Sequence, residues 1–94
     1  MHTLDLLVLE KPGDITVDYR AVLRDAVRRP LNPQAGMQID EMRRSIRVLD
    51  ALDAANGTLE LEDADWDHLK EKVQAMPWAV ADRRIIDLVD AVTG

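Results

Sequence analysis

The stretch LDAANGTLELED, residues 52–63, is where this chain comes nearest to a motif that carries chemistry. A calcium-binding EF-hand loop needs oxygen ligands at positions 1, 3, 5, 7, 9 and 12, with glycine at 6 for the sharp turn. Placing Gly57 at position 6 puts Leu52 at position 1 and Ala54 at position 3, and neither can coordinate a cation. Asn56 at 5 and Asp63 at 12 would serve, but the missing ligands leave too little charge to strip a hydrated calcium ion. Asn56-Gly57 reads instead as a helix stop that tolerates positive φ, followed by a short extended crossing at Thr58 to Leu61. Glu62-Asp63 then opens the next helix, where negative charge suits the dipole. The segment is a connector, and no metal or cofactor is expected.

His68 stands in DADWDHLKEK among Asp65, Asp67 and Glu71. A metal or general-base role needs a second strong ligand at helical spacing, and none is present. The expectation is a solvent-facing histidine on an acidic helix, with His2 on a frayed terminus. Ser45 has no histidine near it in sequence, there is no cysteine, and no glycine-rich phosphate loop occurs. The carboxylates from Asp63 to Asp67 read as charge at a helix start, not as a hydrolase dyad. No catalytic residue is expected, so the chain reads as a non-enzyme.

Arg20, Arg24 and Arg28 form an i, i+4, i+8 stripe with Arg29 beside it. Such a stripe is either the solvated face opposite Tyr19, Leu23 and Val27, or a dock for an acidic partner. The acidic half of a second copy would serve as that partner. Trp66 and Trp78 are expected mostly in the core, and either one left half-exposed would anchor an interface. These five residues are the candidates for partner binding.

The elements that must position them fit in one small domain of 94 residues, 47% hydrophobic and 32% charged, with an aliphatic core because Phe is absent. Lack of cysteine suits a reducing compartment. The opening MHTLDLLVLE has no basic n-region and too short an apolar run to span a bilayer, so neither a signal peptide nor a membrane anchor is expected. The net charge of −6 is uneven: residues 1–47 balance to +1 and residues 48–94 to −7. Bulk nucleic-acid binding is therefore not expected, because phosphates would meet a mostly acidic surface.

TLDLLVLE stops at KPGD and predicts a strand over about 3–10, with DITVDY pairing back as a hairpin. From Asp18, a natural N-cap, Tyr19, Val22, Leu23, Ala26 and Val27 recur at helical spacing until Pro30, predicting a helix over 18–29. A second helix, 39–55, places Ile39, Met42, Ile46, Leu49 and Leu52 on one face, with Ile46 and Leu49 expected at the centre of the core. The third, 63–76, shows Trp66, Leu69, Val73 and Met76; the fourth, 79–92, shows Ala81, Ile85, Leu88, Val89 and Val92. The predicted class is mostly α: an N-terminal strand or hairpin followed by a small four-helix bundle.

Three runs, IDEMRRSIRVLDAL, LELEDADWDHLKEKV and VADRRIIDLVDAV, resemble small proteins encoded in phage and prophage gene clusters, over residues 39–92. The resemblance implies a virion structural or tail-assembly protein that works by protein–protein contact, itself included as a partner. It implies a place in the host cytoplasm or the virion and transfers no site residue. The alternative is a small regulatory or counter-defence inhibitor that binds a host protein or a small ligand.

Overall fold

The computed structural model describes residues 1–94. In chain order it forms β1 (His2–Asp5), β2 (Val8–Leu9), β3 (Val17–Asp18), α1 (Tyr19–Arg28), α2 (Ile39–Ala54), β4 (Thr58–Leu61), α3 (Asp63–Ala75) and α4 (Arg83–Thr93). The protein is thus mostly helical, with a small hairpin near its N-terminus.

The strand expected over 3–10 is two strands with different partners. β2 pairs antiparallel with β3, Val8 opposite Asp18 and Leu9 opposite Val17. The turn between them uses Gly13 at φ +78, a conformation that glycine adopts without a Cβ clash. β1 pairs instead with β4, antiparallel, with Leu4 opposite Leu59. The crossing expected at Thr58 to Leu61 is therefore a paired strand. Leu4, Leu59 and Leu61 turn inward while Thr3, Asp5, Thr58 and Glu60 stay in water, the period-two alternation of a half-buried ribbon.

α1 starts where its cap dictates: Asp18 accepts a hydrogen bond from the Arg20 N–H at 3.0 Å. It buries Tyr19, Leu23, Ala26 and Val27 and ends before Pro30, which holds Arg29 extended. α2 ends at Ala54, with Gly57 beyond it at φ +94. α3 is the central element, touching α1, α2, α4 and β4. α4 begins four residues later than its apolar spacing suggests, because Asp82 caps it by accepting from the Arg84 N–H at 2.9 Å. Its principal helical neighbour is α3, whereas α1, α2 and α3 all touch one another.

α2 corrects the expected packing. The residues it buries are Ser45, Val48 and Leu52, and Leu49 is only half-buried. Ile39, Met42 and Ile46 are 62%, 43% and 49% exposed. The helix is turned by about 100°, one residue's step, from the face its aliphatic residues define. The physical reason lies across the interface, where α3 presents two buried polar side chains, His68 and Lys72, that Ser45 and Glu41 meet.

Candidate interaction surface

α2 and α3 meet along a polar seam in which Ser45, His68 and Lys72 are buried and Glu41 lies partly open at one end. Glu41 and Ser45 are four residues apart on α2, and His68 and Lys72 are four apart on α3, so two antiparallel helices bring them together in pairs. Ser45 Oγ lies 2.9 Å from His68 Nε2, with the two residues 2% and 3% exposed. Lys72 Nζ donates to Glu41 Oε2 at 2.5 Å and to the Arg29 carbonyl at 2.5 Å. Glu41 Oε2 also accepts from the Leu31 N–H at 2.9 Å, so the seam ties down the connection from α1 to α2.

The expectation of a solvent-facing His68 is overturned. α3 is packed on several sides, and its buried arc is wide enough to take in His68 and Lys72 beside Leu69 and Val73. Each polar residue directly precedes a core leucine or valine, which is the signal a single-stripe reading passes over. The Ser45–His68 pair, distant in sequence, is closed to solvent and has no carboxylate on its far nitrogen. His68 Nδ1 has no hydrogen-bond partner. With the proton on Nε2, donated to Ser45, only a lone pair is stranded at Nδ1, the less costly tautomer.

Burial, and then the Lys72 charge, push His68 below its ordinary 6.5; Arg44 acts with Lys72, while Glu71 and Glu41 pull the other way. Burial alone would raise Glu41, but the Lys72 hydrogen bond, the Leu31 N–H and the Lys72 charge together hold it below its ordinary 4.5. Both shifts act in one direction. The unfolded chain takes up the His68 proton more readily than the folded one, so stability falls as pH drops below about 6.5. That loss stops growing below the depressed folded pKa. Glu41's contribution is complete above its ordinary range and is lost as pH falls towards its own depressed value. We expect the melting temperature to fall between about pH 7.5 and about pH 5.5, and His68→Gln to flatten that fall. An unchanged slope in His68→Gln would show that other groups set the pH response.

The remaining sequence candidates are spread over the molecule. Arg20 is half-buried and donates to the Leu52 carbonyl and, at 2.6 Å, to the Ala55 carbonyl. It neutralises the C-terminal end of α2, where carbonyls lack intrahelical partners and the dipole favours a cation. Arg24 pairs with Asp53 at 2.5 Å. Only Arg28 of the stripe is fully turned to solvent. Arg20 and Arg24 thus lie along the seam between α1 and α2, each with a partner in the chain. Trp66 is buried, with His2 stacked on it at 5.0 Å between ring centroids. His2, expected to fray, also reaches Asp63 at 2.9 Å.

Trp78 is the candidate that reaches an open surface. With Val80, Ala81, Ile85, Ile86 and Val89 it lines a shallow groove of about 560 Å³ beside α4. Val80 and Ile86 are 53% and 57% exposed. One end of the groove is fixed by Arg84, which forms a two-point pair with Asp82 and donates to the Leu9 carbonyl at 3.1 Å. Those bonds hold Asp82 at about 2, well below the usual carboxylate range. They dock the start of α4 against the hairpin. The second apolar surface is the α2 ridge of Ile39, Met42 and Ile46, with Arg43 alongside. Sequence reasoning placed the ridge in the core, and of the groove it singled out only Trp78.

No helix is long and apolar enough to cross a membrane. No group of three or more His, Asp or Glu side chains is placed to hold a metal ion. No protein-family model, curated protein or solved structure matches the chain.

Proposed function

We propose that this protein is a non-enzymatic phage or prophage protein that acts by protein–protein contact, as a virion structural subunit or an assembly factor. The observation that carries the reading is the alignment of its exposed aliphatic side chains into a ridge on α2 and a groove beside α4. Isolated exposed apolar residues are ordinary on protein surfaces, whereas aligned ones mark places that another molecule covers. The sealing of Ser45 and His68 speaks for structure over catalysis, since a nucleophile needs access to substrate. The phage assignment rests on the resemblance of residues 39–92. An inhibitor that occludes a host protein would draw on the same groove, with Trp78 as anchor.

Copy number and context separate the two. Tagged protein recovered from phage-producing cells should bring down particle or assembly proteins, and should sediment with particles. Val80→Asp combined with Ile86→Asp should reduce that capture by at least about tenfold, the effect of losing one well-buried apolar contact. Recovery of a single host protein at fixed stoichiometry, with nothing in the particle fraction, would favour the inhibitor. Capture that the double variant leaves intact would remove the groove from the account.

A further inference from the structure

We infer that the occupant of the α4 groove is the α2 ridge of a second copy of this chain, packed antiparallel, so that copies associate head to tail. The inference rests on the protein-contact reading above and names the partner. Both surfaces are apolar, and both stay exposed because α2 and α4 do not pack on each other within one chain, so one chain's ridge is not its own groove's cover.

Charge fixes the orientation. Arg43 and Asp50 flank the ridge seven residues apart on α2, and Arg83 and Asp90 flank the groove seven residues apart on α4. Each spacing is two turns, about 10.5 Å along the axis. The in-chain ion pairs use their neighbours, Arg44 with Asp40, Arg47 with Asp65 and Arg84 with Asp82. Arg43, Asp50, Arg83 and Asp90 stay exposed and have no ion-pair partner. Laid antiparallel, the helices put Arg43 opposite Asp90 and Asp50 opposite Arg83. The same register sets Ile46 at the level of Ile86 and Val89. A parallel arrangement would oppose like charges at both positions.

A two-fold dimer through the ridge alone could also pair Arg43 with Asp50, but it would leave the groove bare. The head-to-tail contact covers both apolar surfaces with one kind of junction. Such a contact is heterologous, so it propagates until a ring closes or a filament forms.

Sedimentation velocity over a concentration series tests this. Wild type should grow beyond a dimer, or stop at a closed ring, and high salt should weaken the association. Ile46→Glu, with the ridge spoiled, and Ile86→Glu, with the groove spoiled, should each remain monomeric. Their equimolar mixture retains one intact junction and should form a heterodimer that stops at two copies. Arg43→Asp should raise the concentration of half-association by about 5- to 10-fold. Adding Asp90→Arg to the same chain should recover most of that loss. Both isoleucines are exposed, so the variants should melt close to wild type, and circular dichroism verifies that they fold.

Wild type that stays monomeric throughout overturns the inference, as does a mixture that stays monomeric. So does Ile86→Glu that still dimerises through its ridge. A monomeric wild type that nevertheless recovers particle proteins from cells would leave the broader protein-contact reading standing while ending this one.

Discussion

Replacing Glu41 by alanine should destabilise the protein by about 3–5 kcal/mol, because it strands a buried lysine charge. The Lys72 side chain is 1% exposed, and its ammonium has two acceptors, the Glu41 carboxylate and the Arg29 carbonyl. Removing the carboxylate leaves a cation with one neutral partner in the interior. The same change frees the Leu31 N–H and so loosens the connection between α1 and α2. The reverse truncation, Lys72→Met, should cost less. Glu41 keeps the Leu31 N–H and is 17% exposed, so its carboxylate can be hydrated. Lys72→Met fills the space with apolar volume, and combined with Glu41→Gln it should recover much of the stability lost in Glu41→Ala. Urea denaturation of the three variants measures this asymmetry. A loss below about 1 kcal/mol for Glu41→Ala would mean that the pair contributes no more than an exposed one.

The same seam explains which parts of the structure could be read from the chain. The ends of α1, α2 and α3 were legible because they are set locally, whereas the start of α4 at its Asp82 cap was not. Asp18 caps α1, Pro30 stops it and Gly57 follows α2, and each acts through its own backbone or nearest neighbours. The inward face of α1 was legible too, since its aliphatic stripe has no polar competitor. α2 was not. Its stripe is genuine, but the helix turns Glu41 and Ser45 inward because His68 and Lys72 await them on α3. That requirement exists only once two helices, 23 residues apart at Ser45 and His68, are brought together. A periodicity argument treats each helix alone and assigns the most apolar arc to the core.

The pairing of β1 was missed for a related reason. A hairpin around Pro12-Gly13 is a local event and was expected, whereas β1 skips its neighbours to pair with β4 more than fifty residues away. Of the five partner-binding candidates, Arg20, Arg24 and Trp66 proved to be engaged within the chain. Their residue types carried no sign of that. Trp78 lines the groove because α4 starts late at Asp82, leaving Val80 and Ala81 off the helix to form one wall. The exposed α2 ridge is thus what remains outside when Glu41, Ser45, Val48 and Leu52 turn toward the other elements.

That inversion has a direct energetic consequence, and α2 carries both halves of the comparison. Leu52→Ala should cost about 2–5 kcal/mol, the usual loss when a core leucine is cut back and a cavity remains. Leu52 is fully buried in the same apolar cluster as Leu23, Leu59 and Leu69, held by α1, β4 and α3, so its surroundings have little freedom to collapse. Ile46→Ala, an equally large aliphatic truncation on the same helix, should cost within about 0.5 kcal/mol, the range of surface positions. Alanine's higher helix propensity offsets part of even that loss. Denaturant titration of the two variants at a concentration where the protein is monomeric gives the contrast directly. At higher concentration Ile46→Ala should lose additional stability relative to wild type, because the ridge then has an occupant to stabilise it. Equal losses for Leu52→Ala and Ile46→Ala in the monomer would mean that α2 presents its aliphatic stripe to the core after all. The exposed ridge, and the contact built on it, would then be withdrawn.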